Sequence, residues 1–276
     1  MMDKNFDWSK TNRELVLLIP NFGRKKYIDI FLSRLITDMW YCKDKWMILI
    51  INDGIYESFD DWKKEVSNID YLTIERNNPW ERGDGFSRNV AIKYCQSKLL
   101  AQKDPEILYT GDFIKGCLEH PDELYRCGKY IYQADEKNTN LFMENKINMD
   151  QIKNRSRQIP IMEDRFVFYH YGYCIKTEIL RNIGGYDESY KYYCYADMDL
   201  HERLTKHGIK QYFDYNCQPI HLWHPKPDTK NDPVAIKREN KNKEIYNSKK
   251  NGSIIRNVGL DWGEGDPNYI PEIIYG

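Results

Sequence analysis

Short apolar runs alternate with stretches of helical periodicity along the first part of the chain. "LVLLI" at 15–19 ends at Pro20, and "WMILII" at 46–51 is stopped by Asn52-Asp53-Gly54. "YLTIE" at 71–75 and "ILYT" at 107–110 are two further runs of strand length. Between them, residues 25–40, 59–67 and 86–100 place apolar side chains three and four apart, which predicts helices. Strands and helices in alternation predict an α/β fold with a mostly parallel sheet flanked by helices. In such a sheet ligands bind beyond the carboxyl ends of the strands. Pro20 to Arg24, Asn52 to Gly54, and Gly111 with Asp112 all fall at those ends. Asp112 stands out, because a carboxylate at the tip of a buried strand needs a partner.

The pattern weakens from 118 to 165, a stretch rich in Asn, Lys, Asp and Glu with helix-like pieces at 121–127 and 141–152. It reads as a variable insertion or mobile loop. A strand at 166–170, a helix at 177–182, a Gly-Gly turn, a helix at 197–207 and a strand at 209–215 follow. The last fifty residues are polar with scattered aromatics, and no repeat or low-complexity tract is present.

Composition narrows the classes. The 276 residues carry 41 Lys+Arg against 42 Asp+Glu, so no basic field argues for a nucleic-acid partner. The 22 Tyr and 7 Trp suit a protein that binds rings or sugars, although core packing uses such residues too. Seven cysteines at wide spacings, with no C-x-x-C pair, argue for reduced buried thiols rather than a zinc ribbon or a disulfide framework. The N-terminal residues hold no apolar signal region, and the longest apolar runs are too short to span a bilayer. The expectation is a soluble cytoplasmic protein without an integral membrane segment, peripheral membrane contact staying open.

Three constellations can carry chemistry. In "RGDGFSRN", 82–89, glycines open a helix with Arg88 near its start, an arrangement that suits an anion and equally suits a plain turn with a surface Arg. In "YADMDLHERL", 195–204, Asp197 and Asp199 open a helix, where an acid either caps or serves as a general base. In "HLWHPKP", 221–227, His221 and His224 follow a strand. Either His with Asp112 and a diphosphate would suit Mn²⁺ or Mg²⁺.

Taken in order, "LIPNFGR", "INDG", "SRNVAI", "LYTGDFI", "IGGYDESY", "YADMDLHERL" and "WHP" resemble the GT-A-fold glycosyltransferases of family 2. The second half resembles the module shared by galactosyltransferases and chondroitin-type polymerases. The resemblance covers residues 15–227, and the run from "GGYDE" to "DMDLHERL" is its most specific part. It implies a Rossmann-like single domain over 1–227, with a nucleotide-binding half at 15–115, an acceptor-side half at 160–227, and a C-terminal extension at 228–276.

The resemblance also implies roles. Pro20, Arg24, Asp53 and Arg88 would line the nucleotide pocket, with Thr110 and Gly111 beside it. Asp112 and His224 would hold Mn²⁺ or Mg²⁺, Asp197 would be the catalytic base, and Tyr193 with Asp199 would face the acceptor sugar. The implied activity is inverting, metal-dependent transfer from a nucleotide sugar, UDP-linked by the family pattern, to a glycan hydroxyl in polysaccharide or glycan synthesis. Three positions depart from the pattern: Asn52 and Thr110 stand where the family has acids, and Ala196 stands where it has Glu. Those departures keep a second expectation alive, a degenerate domain that binds a nucleotide sugar or glycan without turnover.

Overall fold

The computed structural model describes residues 6–38, 44–74, 83, 85–128, 130–160, 172–191, 194–225 and 231–264. After a 3-10 turn at Trp8–Thr11 come β1 (Leu15–Asn21), α1 (Lys25–Asp38), β2 (Trp46–Asp53), α2 (Asp60–Glu65) and β3 (Ile69–Ile74). Next are α3 (Gly85–Tyr94), β4 (Leu99–Gln102), β5 (Ile107–Tyr109), α4 (Phe113–Glu119), β6 (Leu124–Cys127) and β7 (Tyr130–Gln133). α5 (Glu136–Met143), α6 (Met149–Arg155), β8 (Arg157–Pro160), β9 (Tyr173–Lys176) and α7 (Thr177–Asn182) follow. The chain closes with α8 (Ala196–Lys206), β10 (Gln211–Asp214), β11 (Pro219–His221) and α9 (Pro233–Lys249).

Among the described residues the main sheet has seven strands in the order β10-β6-β9-β4-β1-β2-β3. β3, β2, β1 and β4 are mutually parallel, β9 runs against both β4 and β6, and β10 is parallel to β6. The reason lies in β1, whose residues Leu15 to Ile19 are all fully buried. A strand apolar on every position must be covered on both faces. Leu15, Leu17 and Ile19 pack in one core with Ile28 and Leu32 of α1. Val16 and Leu18 pack in the other with Val90 and Ile92 of α3. A second sheet, β5-β11-β7-β8, stands beyond the end of β4.

Three expectations change. The helix expected over 86–100 ends at Tyr94, and 99–102 is a central strand paired with β1 and β9. The cause is tertiary: the Thr11 hydroxyl accepts from the Gln96 amide (2.8 Å), and the amides of Lys98 and Leu99 bond the carbonyls of Arg13 and Glu14. The run at 107–110 is a strand, but in the small sheet, where it pairs antiparallel with β11. The helix-like piece at 121–127 contains β6, because Tyr125 and its neighbours are buried between β9 and β10. The stretch 118–165 therefore holds strands and helices of both sheets rather than a loose insertion. The piece at 141–152 spans two helices, separated near Asn145, which adopts φ 57°. The strand expected at 166–170 lies outside the described residues.

Leu100 is fully buried in β4, so Leu100→Ala is expected to lower stability by about 2–5 kcal/mol. The urea midpoint measures this, and a loss below about 1 kcal/mol would contradict a central position for β4.

Candidate metal and donor site

The parallel strands deliver their carboxyl ends to one edge. Asn21 of β1 lies in register with Asn52 of β2, and Gln102 pairs with Leu18. The two buried asparagines are joined, Asn21 Nδ2 donating to Asn52 Oδ1 (2.7 Å) and to Glu57 Oε2 (2.7 Å). Asn21 Oδ1 in turn accepts from the Arg24 amide (3.0 Å). This hydrogen-bonded corner sets where Arg24 leaves the sheet, as α1 begins. Pro20 and Asp53 sit on the same edge, opposite Ile51 and Ile74.

At the end of β4 the chain turns through Lys103-Asp104-Pro105-Glu106 into β5. His221 is the last residue of β11 and pairs with Ile107, which places its ring beside Glu106. The segment after it is held at three points. The Leu222 amide bonds Glu106 O (3.0 Å), the Trp223 amide bonds Thr139 Oγ1 (2.8 Å), and Tyr27 Oη donates to Trp223 O (2.8 Å). His224 follows directly, so its position is built by both sheets and by α1 and α5.

Glu106, His221 and His224 are all buried, and among the described residues they form a group whose ligand atoms lie within 4.8 Å of one another. His224 Nε2 is 2.9 Å from Glu106 Oε1, His221 Nε2 is 3.8 Å from it, and Arg24 Nη1 is 2.8 Å from it. The second oxygen, Oε2, is buried with no hydrogen-bond partner. Burial pushes the Glu106 carboxyl up, but the hydrogen bond to His224 and the Arg24 charge outweigh it and hold the group well below the usual carboxylate range. His224 Nδ1 lies 2.9 Å from the Pro225 carbonyl, which only accepts, so the ring proton sits on Nδ1. Nε2 then presents a lone pair to a carboxylate oxygen at contact distance. Something positive must lie between them, a proton or a metal ion. An imidazole oriented through its other nitrogen is the usual form of a metal-ligating His. The donor set, the unpartnered Oε2 and this tautomer fit a divalent cation.

Arg88 of α3 is buried and pairs with Asp104 (2.6 Å), its guanidinium 5.7 Å from the Tyr186 ring centre. Tyr186 Oη donates to Gln102 Oε1 (3.0 Å) and shares a hydrogen bond with Tyr173 Oη (3.0 Å). Burial pushes both phenols far up, and the Asp197 charge adds to the rise while Arg88 opposes it. Asp104, Arg88 and Tyr186 thus link the acidic turn to the segment that precedes α8. Two successive left-handed residues, Cys194 (φ 78°) and Tyr195 (φ 73°), lead into that helix. Such a turn persists only where neighbours enforce it. Asn242 of α9 does so, bonding Lys191 N and O and the Cys194 carbonyl (3.2, 2.5 and 3.1 Å).

Other expected positions are corrected. Asp112 does not join the Glu106 group; it caps α4, accepting from the Lys115 amide (2.9 Å), and burial raises its pKa. Thr110 bonds Asn216 O (3.3 Å) and the Gln218 amide (3.1 Å), and Gly111 packs on the Asn216 carbonyl, so both fasten β5 to the turn before β11. Thr110 and Gly111 thus have a structural role at this junction. Asp199 is fully buried, with Oδ2 on Arg203 Nε (2.7 Å) and Oδ1 on Arg256 Nη2 (2.7 Å), which leaves it nothing for an acceptor sugar. Tyr193 lies outside the described residues. Asp104 and Glu106 were missed because 99–100 was absorbed into a helix. The signal for them was an apolar tetrad, "LLAQ", followed at once by an acid-Pro-acid turn.

No protein-family model matches the chain. In sequence it is similar to chondroitin sulfate synthase 3 of Mus musculus, 21% identical over 232 residues, 77% of this chain and 24% of that protein. In structure it is similar to GalNAc-T7 crystallised with UDP, GalNAc and Mn²⁺: TM-score 0.57, 12% identity, 86% of this chain and 49% of that one. It is also similar to S. aureus TarS 1-349 in complex with UDP-GlcNAc: TM-score 0.57, 13% identity, 79% of this chain and 61% of that one. The chain has the GT-A glycosyltransferase fold. This is the architecture that the alternating pattern and the motif order led us to expect. The GT-A chain spans about a quarter of its mouse relative, and no helix among its described residues is long and apolar enough to cross a membrane.

Two stability predictions follow from the site's buried charges. Asp199→Ala removes the acid partner of the buried Arg203 and leaves Arg256 with Asp187 alone, and is expected to cost about 3–5 kcal/mol in urea unfolding. Lys103 is fully buried, its ammonium 3.9 Å from the Phe31 ring centre, and burial pulls its pKa down to about 7 against the pull of Glu106 and Asp104. The unfolded chain holds this proton up to its ordinary value, so the penalty is full below pH 7 and fades as pH rises toward that value. Lys103→Met should therefore stabilise the protein by roughly 3 kcal/mol more at pH 6 than at pH 9. An equal gain at both pH values would contradict the buried-charge assignment.

Proposed function

We propose that the protein is a metal-assisted glycosyltransferase that moves a sugar from a nucleotide-sugar donor, UDP-linked, to a glycan hydroxyl with inversion at the anomeric carbon. The observation that carries this reading is the Glu106-His221-His224 group at the carboxyl edge of a GT-A sheet, with Arg24 beside it. Glu106, His221 and His224 would hold the cation. Two imidazoles in the set favour a transition ion such as Mn²⁺ over Mg²⁺. When bound, that ion supplies positive charge to the leaving diphosphate.

The chain's own residues do the rest. Pro20, Asp53 and the Asn21–Asn52 corner would shape the nucleotide end, and Arg88 with Asp104 would fix the donor's ribose and diphosphate side. Asp197 would take the proton from the acceptor hydroxyl as that oxygen bonds to the anomeric carbon and the bond to the diphosphate breaks. Its place in the first turn of α8 favours the ionised form a base needs. The acid-Pro-acid turn at 104–106 supplies a pair of carboxylates where Thr110-Gly111-Asp112 has one, which weakens the case for a domain without turnover. Synthesis of a polysaccharide or other glycan is the role this activity would serve.

Donor hydrolysis measured over a panel of nucleotide sugars with Mn²⁺ tests the reading. One sugar should be released slowly without acceptor, and Asp197→Asn should lower transfer by about 10²–10⁴-fold while sparing donor binding. Binding with no hydrolysis and no transfer from any donor would favour the domain without turnover.

A further inference from the structure

The contacts around Glu106 are arranged unevenly. Three nitrogens from three parts of the chain converge on one oxygen, Oε1: His224 Nε2 at 2.9 Å, Arg24 Nη1 at 2.8 Å and His221 Nε2 at 3.8 Å. Oε2, on the same carboxylate, is buried and has no hydrogen-bond partner. A cation on the Oε1 side would stand within reach of both Nε2 atoms, which lie 2.9 and 3.8 Å from that oxygen. The Arg24 guanidinium already stands on that side. Its unit charge within contact distance of a ligand oxygen opposes a second, divalent charge there.

We propose that Arg24 is a resident stand-in for the cation: it neutralises Glu106 in the unliganded protein, is displaced when a divalent ion enters, and is then free to meet the donor's diphosphate. The inference rests on the nucleotide-sugar reading above and adds to it a coupling between metal and donor. The two ends of the ion pair suit such an exchange. Glu106 is fixed, with its side chain 5% exposed and its backbone bonded to Leu222, whereas the Arg24 side chain is 29% exposed. Arg24 is anchored through its backbone, the amide on Asn21 Oδ1 and the carbonyl accepting from the Tyr27 amide (3.0 Å), so the side chain turns about a fixed origin. A long, partly exposed side chain changes rotamer quickly, and this step needs no movement of the sheet.

The exchange has a thermodynamic signature. Without nucleotide, Arg24 competes with the ion for Oε1, so the ion binds more weakly than its ligands allow. With nucleotide, the freed guanidinium gains a phosphate partner, and that contact returns what the lost ion pair took away. Nucleotide and cation therefore strengthen each other's binding, and by linkage the factor is the same in both directions.

The test is Mn²⁺ binding to the full chain, followed by the electron paramagnetic resonance signal of free Mn²⁺, with and without UDP. Arg24→Met removes the charge and keeps the stem. It should bind Mn²⁺ alone about tenfold more tightly than the parent, the size of a partly buried ion pair removed. It should also lose most of the enhancement that UDP gives the parent. Arg24→Lys, which keeps the charge, should stay near the parent in both respects, and it serves if the Met variant does not fold. Mn²⁺ binding by Arg24→Met with no measurable binding by the parent would support the proposal in its strongest form. Equal or weaker Mn²⁺ binding by Arg24→Met would overturn it while leaving the metal site standing. The absence of Mn²⁺ binding by every form, with UDP present, would overturn the metal site itself and the proposal with it.

Discussion

The site depends on one buried carboxylate. Glu106 lies where the main sheet hands the chain to the small sheet, and its Oε1 gathers a guanidinium from the end of β1 and an imidazole from the segment after β11. A carboxylate buried this deeply is tolerable only when positive charge or hydrogen bonds surround it. That requirement orders the neighbourhood. Arg24 must leave β1 at a fixed angle, which the Asn21–Asn52–Glu57 corner ensures, and His224 must follow Trp223 along a path fixed by Tyr27 and Thr139. The antiparallel pairing of β5 with β11 sets the spacing between the two.

A second set of buried charges holds α8. Asp199 joins Arg203 of its own helix to Arg256 of the C-terminal segment, and Asp187 pairs with Lys249 of α9 and with Arg256. These contacts anchor α8 against the tail. Two residues earlier, Asp197 adds its charge to the surroundings of the Tyr173–Tyr186 pair and raises both phenols. The helical turn separates the two acids by about 200°, so one is locked into the scaffold while the other points elsewhere. Asn242 completes the division by holding the left-handed turn that starts the helix.

The polar residues around the carboxyl edge of the main sheet form a graded series. Arg88 and Asp104 are paired, Tyr186 is hydrogen-bonded to Tyr173 and to Gln102, and Lys103 is buried against Phe31 with its ammonium on the Pro105 carbonyl (3.3 Å). Each group is fixed before any ligand arrives, which is the arrangement expected where charge must be stabilised without rearrangement. Arg24 differs from them in combining a buried partner with solvent access.

Much of this was legible in the chain. Runs of five and six apolar residues bounded by turn residues suit covered strands, and their polar endings mark an edge, so β1, β2, α1 and the place of Arg24 just past that edge follow from local pattern. The place of His224 after a strand and of Asp197 at the start of a helix was also legible. The partner of His224 was not. Residues 86–100 have the periodicity of one helix, and the break at Tyr94 depends on the Thr11 hydroxyl and on pairing with Arg13 and Glu14, some eighty residues away in sequence. Once that break is misplaced, the acidic turn at 104–106 disappears into a linker, and Asp112 stands next in line as the strand-tip acid. Asp199 was ambiguous for the same reason, since its partner Arg256 is brought to it only by the folded tail. Local periodicity determines which residues want to be buried; which strand lies beside which, and therefore which acid meets which histidine, is decided by long-range pairing that no local pattern encodes.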